Sequence, residues 1–489
     1  MAVCLGAVLL GGALPGLAQA GPFAYPGDIR FRHQVQYLKD TGRTDALTTT
    51  WPMSLPDVAK DFAGRSAPQG ISAYDLHNTL ADRLRREART GMGDARVSLA
   101  VLEDPILLRT FEDTPRGRGE LEARVEWMGD RFAARLQAQA VRDAPDDKDY
   151  RLDGSYLGAV VGNWTLTAGA IPRWWGPGWS GSLILSNNAR PVPGVAIERN
   201  YTDPFDLPVL RWLGPWDLSV FMGRLESDRS VPRANLVGMR LAFQPAPVLE
   251  IGLSRTIQWG GKGRPEDLET FGRALAGQDN PGSEGVDADN EPGNQLAGFD
   301  FRLASPYAGF PVALYGQAIG EDEAGGLPTK WMAQAGLETW GAMPVLSGTF
   351  RLYAEAVETS LYDSDQPNNV LFNTGYEHHV YQDGYRYRGR SLGHSADNDT
   401  TLTSLGGVFA LSSGMTWHTV LRWGKINRDG AGGNPLFPEG ADLYGGSLSG
   451  EVPTGYGAFK AGVEVHRVDP HQDSADTDRT VFFRWRWSG

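Results

Sequence analysis

The chain has 489 residues, with 62 Gly, 31 Pro, 15 Trp and one Cys, enough for a large folded unit with many turns. Its formal charge of −13 disfavours a nucleic-acid partner, because phosphate binding needs a basic surface. Beyond the N-terminus no run of about 18 uncharged apolar residues occurs, which excludes a helical membrane protein and leaves a membrane β-barrel open.

Residues 1–20 read as a signal peptide. They carry no charge, contain the apolar stretch Val3 to Leu14, and end in the small-x-small pattern Ala18-Gln19-Ala20. The segment departs from the usual form in lacking Lys or Arg before the apolar run. A short membrane anchor is the rival reading, disfavoured because the run is too short to span and Pro15 and Gly16 break it. Cys4 lies inside this segment, so the mature chain has no thiol for disulfides, zinc thiolates or cysteine catalysis.

Residues 21–95 read as a small N-terminal helical bundle. A first helix covers Ile29 to Leu38. Ser54-Leu55-Pro56-Asp57 and Ser72-Ala73-Tyr74-Asp75 mark two further helix starts. The last helix carries Leu76, Leu80 and Leu84 on one stripe beside Arg83, Arg85, Arg86 and Glu87, and stops at Gly91.

From residue 96 to 489 the period changes to two. Leu121, Ala123, Val125 and Trp127 alternate with Glu120, Glu122, Arg124 and Glu126, and Val481, Phe483, Trp485 and Trp487 share a face opposite Arg484 and Arg486. Eighteen strands are expected, at 96–103, 120–127, 131–141, 150–161, 163–170, 194–199, 217–225, 234–243, 248–258, 296–304, 311–319, 331–340, 347–358, 402–411, 415–424, 443–450, 457–466 and 479–487. The odd-numbered gaps are long, as in 104–119, 171–193, 259–295, 320–330 and 359–401, and the even-numbered ones short, with one exception at 200–216. That alternation fits an antiparallel transmembrane β-barrel with long extracellular loops and short periplasmic turns, and not a soluble sandwich. Both 171–216 and 359–401 have room for a further hairpin.

Particular stretches carry a family resemblance. Trp174-Trp175-Gly176-Pro177 followed by Leu183-Ile184-Leu185-Ser186-Asn187-Asn188-Ala189-Arg190-Pro191 resembles the signature of the Wzi family of outer-membrane capsule-assembly proteins. So do Thr49-Thr50-Trp51-Pro52 after Arg32-His33-Gln34-Val35-Gln36-Tyr37-Leu38, Gln258-Trp259-Gly260-Gly261, Asn290-Glu291-Pro292-Gly293-Asn294-Gln295, and Gly384-Tyr385-Arg386-Tyr387-Arg388-Gly389-Arg390. The resemblance covers nearly the whole mature chain. It implies an 18-stranded outer-membrane barrel with a periplasmic helical bundle, acting as a lectin that helps anchor capsular polysaccharide at the Gram-negative cell surface.

Sugar binding without catalysis asks for aromatic faces beside planar polar groups. Two long gaps supply both. The first, 171–193, holds Arg173, Trp174, Trp175, Trp179, Asn187, Asn188 and Arg190; its other reading is a loop folded inward as a plug, with Asn and Arg bonding backbone. The second, 359–401, holds Tyr362, Tyr376, His378, His379, Tyr381, Tyr385, Arg386, Tyr387, Arg388 and Arg390, and equally reads as an extra strand.

Charges expected in the lumen are Glu122, Arg124, Glu126, Arg135, Asp300, Arg302, Arg351, Glu355, Arg422, Arg484 and Arg486; their mixed signs suit a cross-linked, filled interior, though an open pore would also be polar. Catalysis finds no motif. Glu321, Asp322 and Glu323 read as solvated loop carboxylates, and His378 and His379, being adjacent, would face opposite ways on a strand. The acid-rich stretch 284–291 reads as a hydrated loop, with Ca²⁺ binding as the lesser alternative. The expectation is therefore a non-enzymatic outer-membrane lectin with no cofactor or metal, whose partners are capsular or other surface polysaccharide, outer-membrane lipid and polysaccharide-export proteins. The alternative is an outer-membrane porin or polysaccharide-export channel.

Overall fold

The computed structural model describes residues 23–63, 71–87, 90–275, 293–307, 309–324, 327–363, 369–472 and 474–489. The expected signal peptide and the acidic stretch 284–291 lie outside these residues. Period-two patterning predicts strands, and eighteen antiparallel ones close on themselves. They are β1 Gly91–Leu102, β2 Gly119–Met128, β3 Phe132–Arg142, β4 Tyr150–Arg151 continued by Tyr156–Val161, β5 Trp164–Gly169, β6 Gly194–Arg199, β7 Trp216–Arg224, β8 Asn235–Ala246 and β9 Leu249–Trp259. The rest are β10 Gly293–Ala304, β11 Val312–Ala324, β12 Leu327–Met343, β13 Gly348–Asp363, β14 Thr401–Leu411, β15 Thr416–Ile426, β16 Ala441–Thr454, β17 Gly457–Pro470 and β18 Asp476–Ser488. Closure runs from β18 back to β1, with Phe482 opposite Leu102 and Ser488 opposite Arg96.

Every expected strand is found, and the count of eighteen holds. Several are longer than expected at the long-loop end: β11 and β12 run on, so the gap foreseen at 320–330 shrinks to residues 325–326. The first barrel strand starts at Gly91 rather than at 96. Among the described residues, 171–193 folds inward instead of adding a strand, while 359–401 adds only a two-residue pairing to the barrel sheet, Val370–Leu371 against Leu361 and Tyr362 of β13; 386–391 forms its own two-stranded hairpin.

Alternation gives the ring two faces. On β1, Leu99 and Val101 point out, 47% and 59% exposed, while Ala100 and Leu102 are buried. The same outward row continues with Leu121, Leu253, Phe299, Leu337, Leu421 and Phe483, an apolar belt that water would not tolerate at this size. Trp127, Tyr307, Trp417, Tyr456 and Trp487 are exposed toward the short-turn end, where aromatic girdles are expected. The inward face is polar. All eleven expected lumenal charges are buried or half-buried.

The N-terminal segment does not sit simply below the ring. Its first helix, α1 Ile29–Asp40, is capped by the Asp28 carboxylate, which accepts from the Phe31 N–H at 2.8 Å. It threads into the lumen, and its polar side chains meet the barrel wall. His33 bonds Thr349 at 2.9 Å, Gln36 donates to Glu338 at 2.8 Å, Lys39 pairs with Glu250, and Arg30 donates to the Met415 and Leu411 carbonyls in a short turn, both at 2.9 Å. Asp40, fully buried, bridges Arg302 at 2.7 Å and Arg351 at 2.6 Å.

Two more helices, α2 Leu55–Ala63 and α3 Ile71–Glu87, cover α1: Leu76, Leu80 and Leu84 share a buried cluster with Phe31, Val35, Leu38 and Val58. Each such side chain contributes about 1.5–3 kcal/mol when removed from water. The exceptional short-end connection is explained by α2. The Asp57 carboxylate accepts from Thr202 N–H (3.0 Å) and hydroxyl (2.8 Å), and the Ser54 hydroxyl, expected as a helix cap, donates instead to Asn200 at 3.0 Å. Residues 200–215 are long because they dock this helix.

Removing one member of a buried ion network strands the others. Asp40→Ala leaves Arg302 and Arg351 sharing Glu338 alone, and is expected to destabilise the folded barrel by about 3 kcal/mol in denaturant titrations in detergent. A change below about 0.5 kcal/mol would show that Asp40 does not anchor the helix.

Candidate functional site

The extracellular connections decide what the long-loop end can present. The connection 103–118 dips inward until the Asp113 N–H donates to the Gly27 carbonyl at 3.0 Å and the Phe111 N–H to that of Trp179 at 3.1 Å. Gly27 has φ +119, and a Cβ there would lie 2.8 Å from the Asp113 Cβ, so the close approach requires glycine. Between the two segments lies Arg32. Its guanidinium is 4.4 Å from the Phe111 ring centre and 4.1 Å from that of Trp179, and it donates to the Gly178 and Pro177 carbonyls at 2.8 and 2.6 Å.

The tryptophans are buried inside this junction. Trp174 and Trp175 form a two-residue strand against Thr50–Trp51, with Trp174 edge-on to Phe111 at 5.2 Å and Trp175 edge-on to Phe221 at 5.6 Å. Trp179 stacks on Tyr353 at 5.8 Å and donates from its indole to Glu338 at 2.8 Å. Arg173 pairs with Glu198 on the wall and lies over Phe221. Asn187 and Asn188 donate to the Phe111 and Ser391 carbonyls at 2.7 and 2.9 Å. Arg190 reaches outward to Asp153 at 2.7 Å and Asp146 at 2.5 Å. Of the two readings of this segment, the inward-folded one describes its geometry.

The connection between β13 and β14 forms a lid over the same segment. Tyr376 and Tyr385 stack at 6.0 Å and donate to the Leu183 and Ile184 carbonyls at 2.6 and 2.9 Å, and Tyr381 donates to Gly260 at 3.3 Å. Arg386 binds Asp397 at 2.6 Å and also pairs with Glu377. Tyr387 is buried, and Arg388 lies 5.3 Å over its ring, half-exposed. His378 and His379 do not lie on a strand; the imidazoles stack at 4.7 Å in a turn, which corrects the expected opposition. Among the described residues no cluster of His, Asp or Glu could hold a metal ion.

Two spaces remain. An inner cavity of about 290 Å³ lies between the N-terminal segment and the β1–β6 wall, lined by Arg124, Glu126, Arg135, Gln137 and Asn187 among others. A smaller slot of about 40 Å³ lies on the loop side, walled by Arg109, Arg116, Arg151, Arg190, Arg388 and Arg390 with Asp146. Arg116, Arg151 and Arg190 line both. Sequence reading missed Arg109, Arg116 and Arg151, because Arg109 and Arg116 lie on the connection 103–118 and Arg151 in β4, and only folding brings them to Arg388 and Arg390. The one local signal was the Arg-rich run Arg116-Gly117-Arg118 inside a long gap.

Elsewhere in the lid the sign is reversed. Burial, with Asp429, Glu377 and Glu358 nearby, pushes the Asp399 carboxyl up to about 7. The folded acid therefore keeps a proton that the unfolded chain has already lost, and stability falls as pH rises from about 4 to 7. Asp399→Asn removes this loss. Its melting temperature is expected to match the parent near pH 4 and to exceed it by a growing margin up to pH 7, then by a constant one; a pH-independent difference would contradict the assignment.

Comparisons with known proteins fit this geometry. The family model described as capsule assembly protein Wzi matches residues 88–481. A 55.8 kDa protein in the cps region of Klebsiella pneumoniae is 32% identical over 434 residues, covering 87% of this chain and 82% of that one. Among solved structures, the Escherichia coli outer-membrane protein Wzi, described as a carbohydrate-binding β-barrel involved in group 1 capsule assembly, superposes with a TM-score of 0.82 at 28% identity, over 96% of this chain and 99% of that one. The chain belongs to the Wzi capsule-assembly family.

Proposed function

We propose that this chain is a lectin-like protein of the outer membrane that holds capsular polysaccharide at the cell surface and catalyses no reaction. The observation that carries the reading is the junction at Arg32. Extracellular connections and the N-terminal segment meet inside the ring, so the lumen is occupied and the outer loops become a fixed platform. A porin or export channel needs the opposite arrangement, a continuous wet passage. The family match and the carbohydrate binding described for the Escherichia coli relative support the same reading. Outer-membrane lipid surrounds the apolar belt.

Within the platform the expected binding residues divide by burial. Trp174, Trp175, Trp179, Asn187, Asn188, Tyr381, Tyr385 and Arg386 brace the loops through ring packing and hydrogen bonds to backbone and carboxylates. Arg190 and Arg388 reach the outer slot, with Tyr387 beneath Arg388, and these are assigned the contact with polymer. Arg173 ties the first segment to the wall.

The test is a clean deletion in a capsulated strain. Capsule is expected to move from the cell-bound to the released fraction with total synthesis unchanged, and to return on complementation. Unaltered retention would refute the reading.

A further inference from the structure

We infer that the slot walled by Arg109, Arg116, Arg388 and Arg390 is a carboxylate-binding subsite that takes an acidic sugar residue of the polymer. This rests on the lectin reading above and specifies its ligand.

The argument begins with charge. Lumenal arginines such as these have carboxylates at hand: Arg240 meets Asp300 at 2.6 Å, Arg351 meets Asp40 at 2.6 Å, and Arg135 meets Glu126 at 2.9 Å; Arg32, between its rings and carbonyls, is an exception. The slot departs from this. Its six guanidinium groups face a single lining carboxylate, Asp146, which is already engaged by Arg151 at 2.8 Å and Arg190 at 2.5 Å.

The other four groups are satisfied by oxygens without charge, or barely at all. Arg116 donates to the carbonyls of Asn187 (2.7 Å), Asn188 (2.9 Å) and Ala189 (3.2 Å). Arg390 donates to those of Leu107 (3.2 Å) and Ile106 (3.4 Å). Arg109 donates to Pro115 at 3.0 Å and to Thr114, with its nearest carboxylate, Asp113, 3.8 Å away. Arg388 has the Tyr387 ring at 5.3 Å and, for a carboxylate, Asp146 at 4.0 Å. The Nε of Arg109 and that of Arg388 are buried without a hydrogen-bond partner, and the Arg109 side chain is 4% exposed.

Holding cations this way is costly, since carbonyls answer hydrogen bonds but do not cancel charge. The strain shows in proton affinity: burial first, then the Arg116 charge, pushes both Arg109 and Arg390 below the usual guanidinium range. An anion entering the slot relieves the repulsion among its guanidinium groups. Its size selects the anion. About 40 Å³ admits a carboxylate head and leaves a sugar ring on the rim, where Pro105, Ile106 and Pro145 offer apolar contact. A planar carboxylate also matches the guanidinium fork, which a hydroxyl does not.

The experiment uses the full-length protein in detergent and capsular polysaccharide purified from the cells that make it, before and after chemical reduction of its carboxylates to alcohols. Reduction is expected to weaken binding to the parent protein by about tenfold or more, as loss of a charge-assisted bond does. The Arg388→Gln/Arg390→Gln protein should bind native polymer about tenfold more weakly and respond little to reduction. If the pair fails to assemble, as judged by heat-modifiable gel migration, Arg388→Gln alone makes the same comparison. Equal binding of native and reduced polymer by the parent protein, or unchanged sensitivity in the variant, overturns the subsite while leaving the lectin reading intact. No binding of native polymer to the parent protein overturns the lectin reading, and the subsite with it.

Discussion

The structure depends on one guanidinium group held between two aromatic rings. Arg32 arrives on a helix that enters from the short-turn side, and Phe111 and Trp179 arrive on connections that enter from the long-loop side. Each contact of this kind, removed from water, is worth roughly 2 kcal/mol, and the two bonds that Arg32 donates to the Pro177 and Gly178 carbonyls fix the angle of the fork. Because the partners come from opposite ends of the ring, neither segment can settle without the other. A barrel of eighteen strands would otherwise enclose an aqueous lumen. Here the lumen becomes a core.

That core is unusual in being largely ionic. Glu250 collects Lys39 and the Thr48 and Thr49 N–H groups, Glu338 collects Arg302, Arg351, Gln36 and the Trp179 indole, and Glu355 accepts from the Trp179 and Ser180 N–H groups. Such networks cost desolvation, and what they supply is geometry: each carboxylate has a defined set of donors, so the threaded segment has one register. Against this background the outer slot stands out. There Arg116 and Arg390 are met by backbone carbonyls, whereas Arg240, Arg302 and Arg351 inside are met by carboxylates.

How much of this was legible in the sequence follows from the range of the interactions. Strand alternation is local, so Leu121 to Trp127 and Val481 to Trp487 announced their faces, and loop lengths announced which end each gap belonged to. Strand ends were less legible. β11 and β12 run on because they pair with each other as far as Ala324 and Leu327, and nothing in the sequence from Glu321 to Thr329 marks that. The lumenal charges were recognised as inward-facing, but their partners were not, since Asp40 meets Arg351 across 311 residues. Trp174, Trp175 and Trp179 were conspicuous for their chemistry, yet composition alone does not say whether an indole covers a sugar or the protein's own backbone. The slot was least visible of all, because its arginines come from three connections and from β4, which only the closed ring brings together.

The most direct test of the central claim is electrical. Purified protein reconstituted into planar lipid bilayers is expected to give no steady ohmic step current, because segments from both ends occupy the ring and are clasped at Arg32. Reproducible conductance steps of porin size from the intact chain would contradict the filled lumen, and with it the reading of the outer loops as a fixed platform.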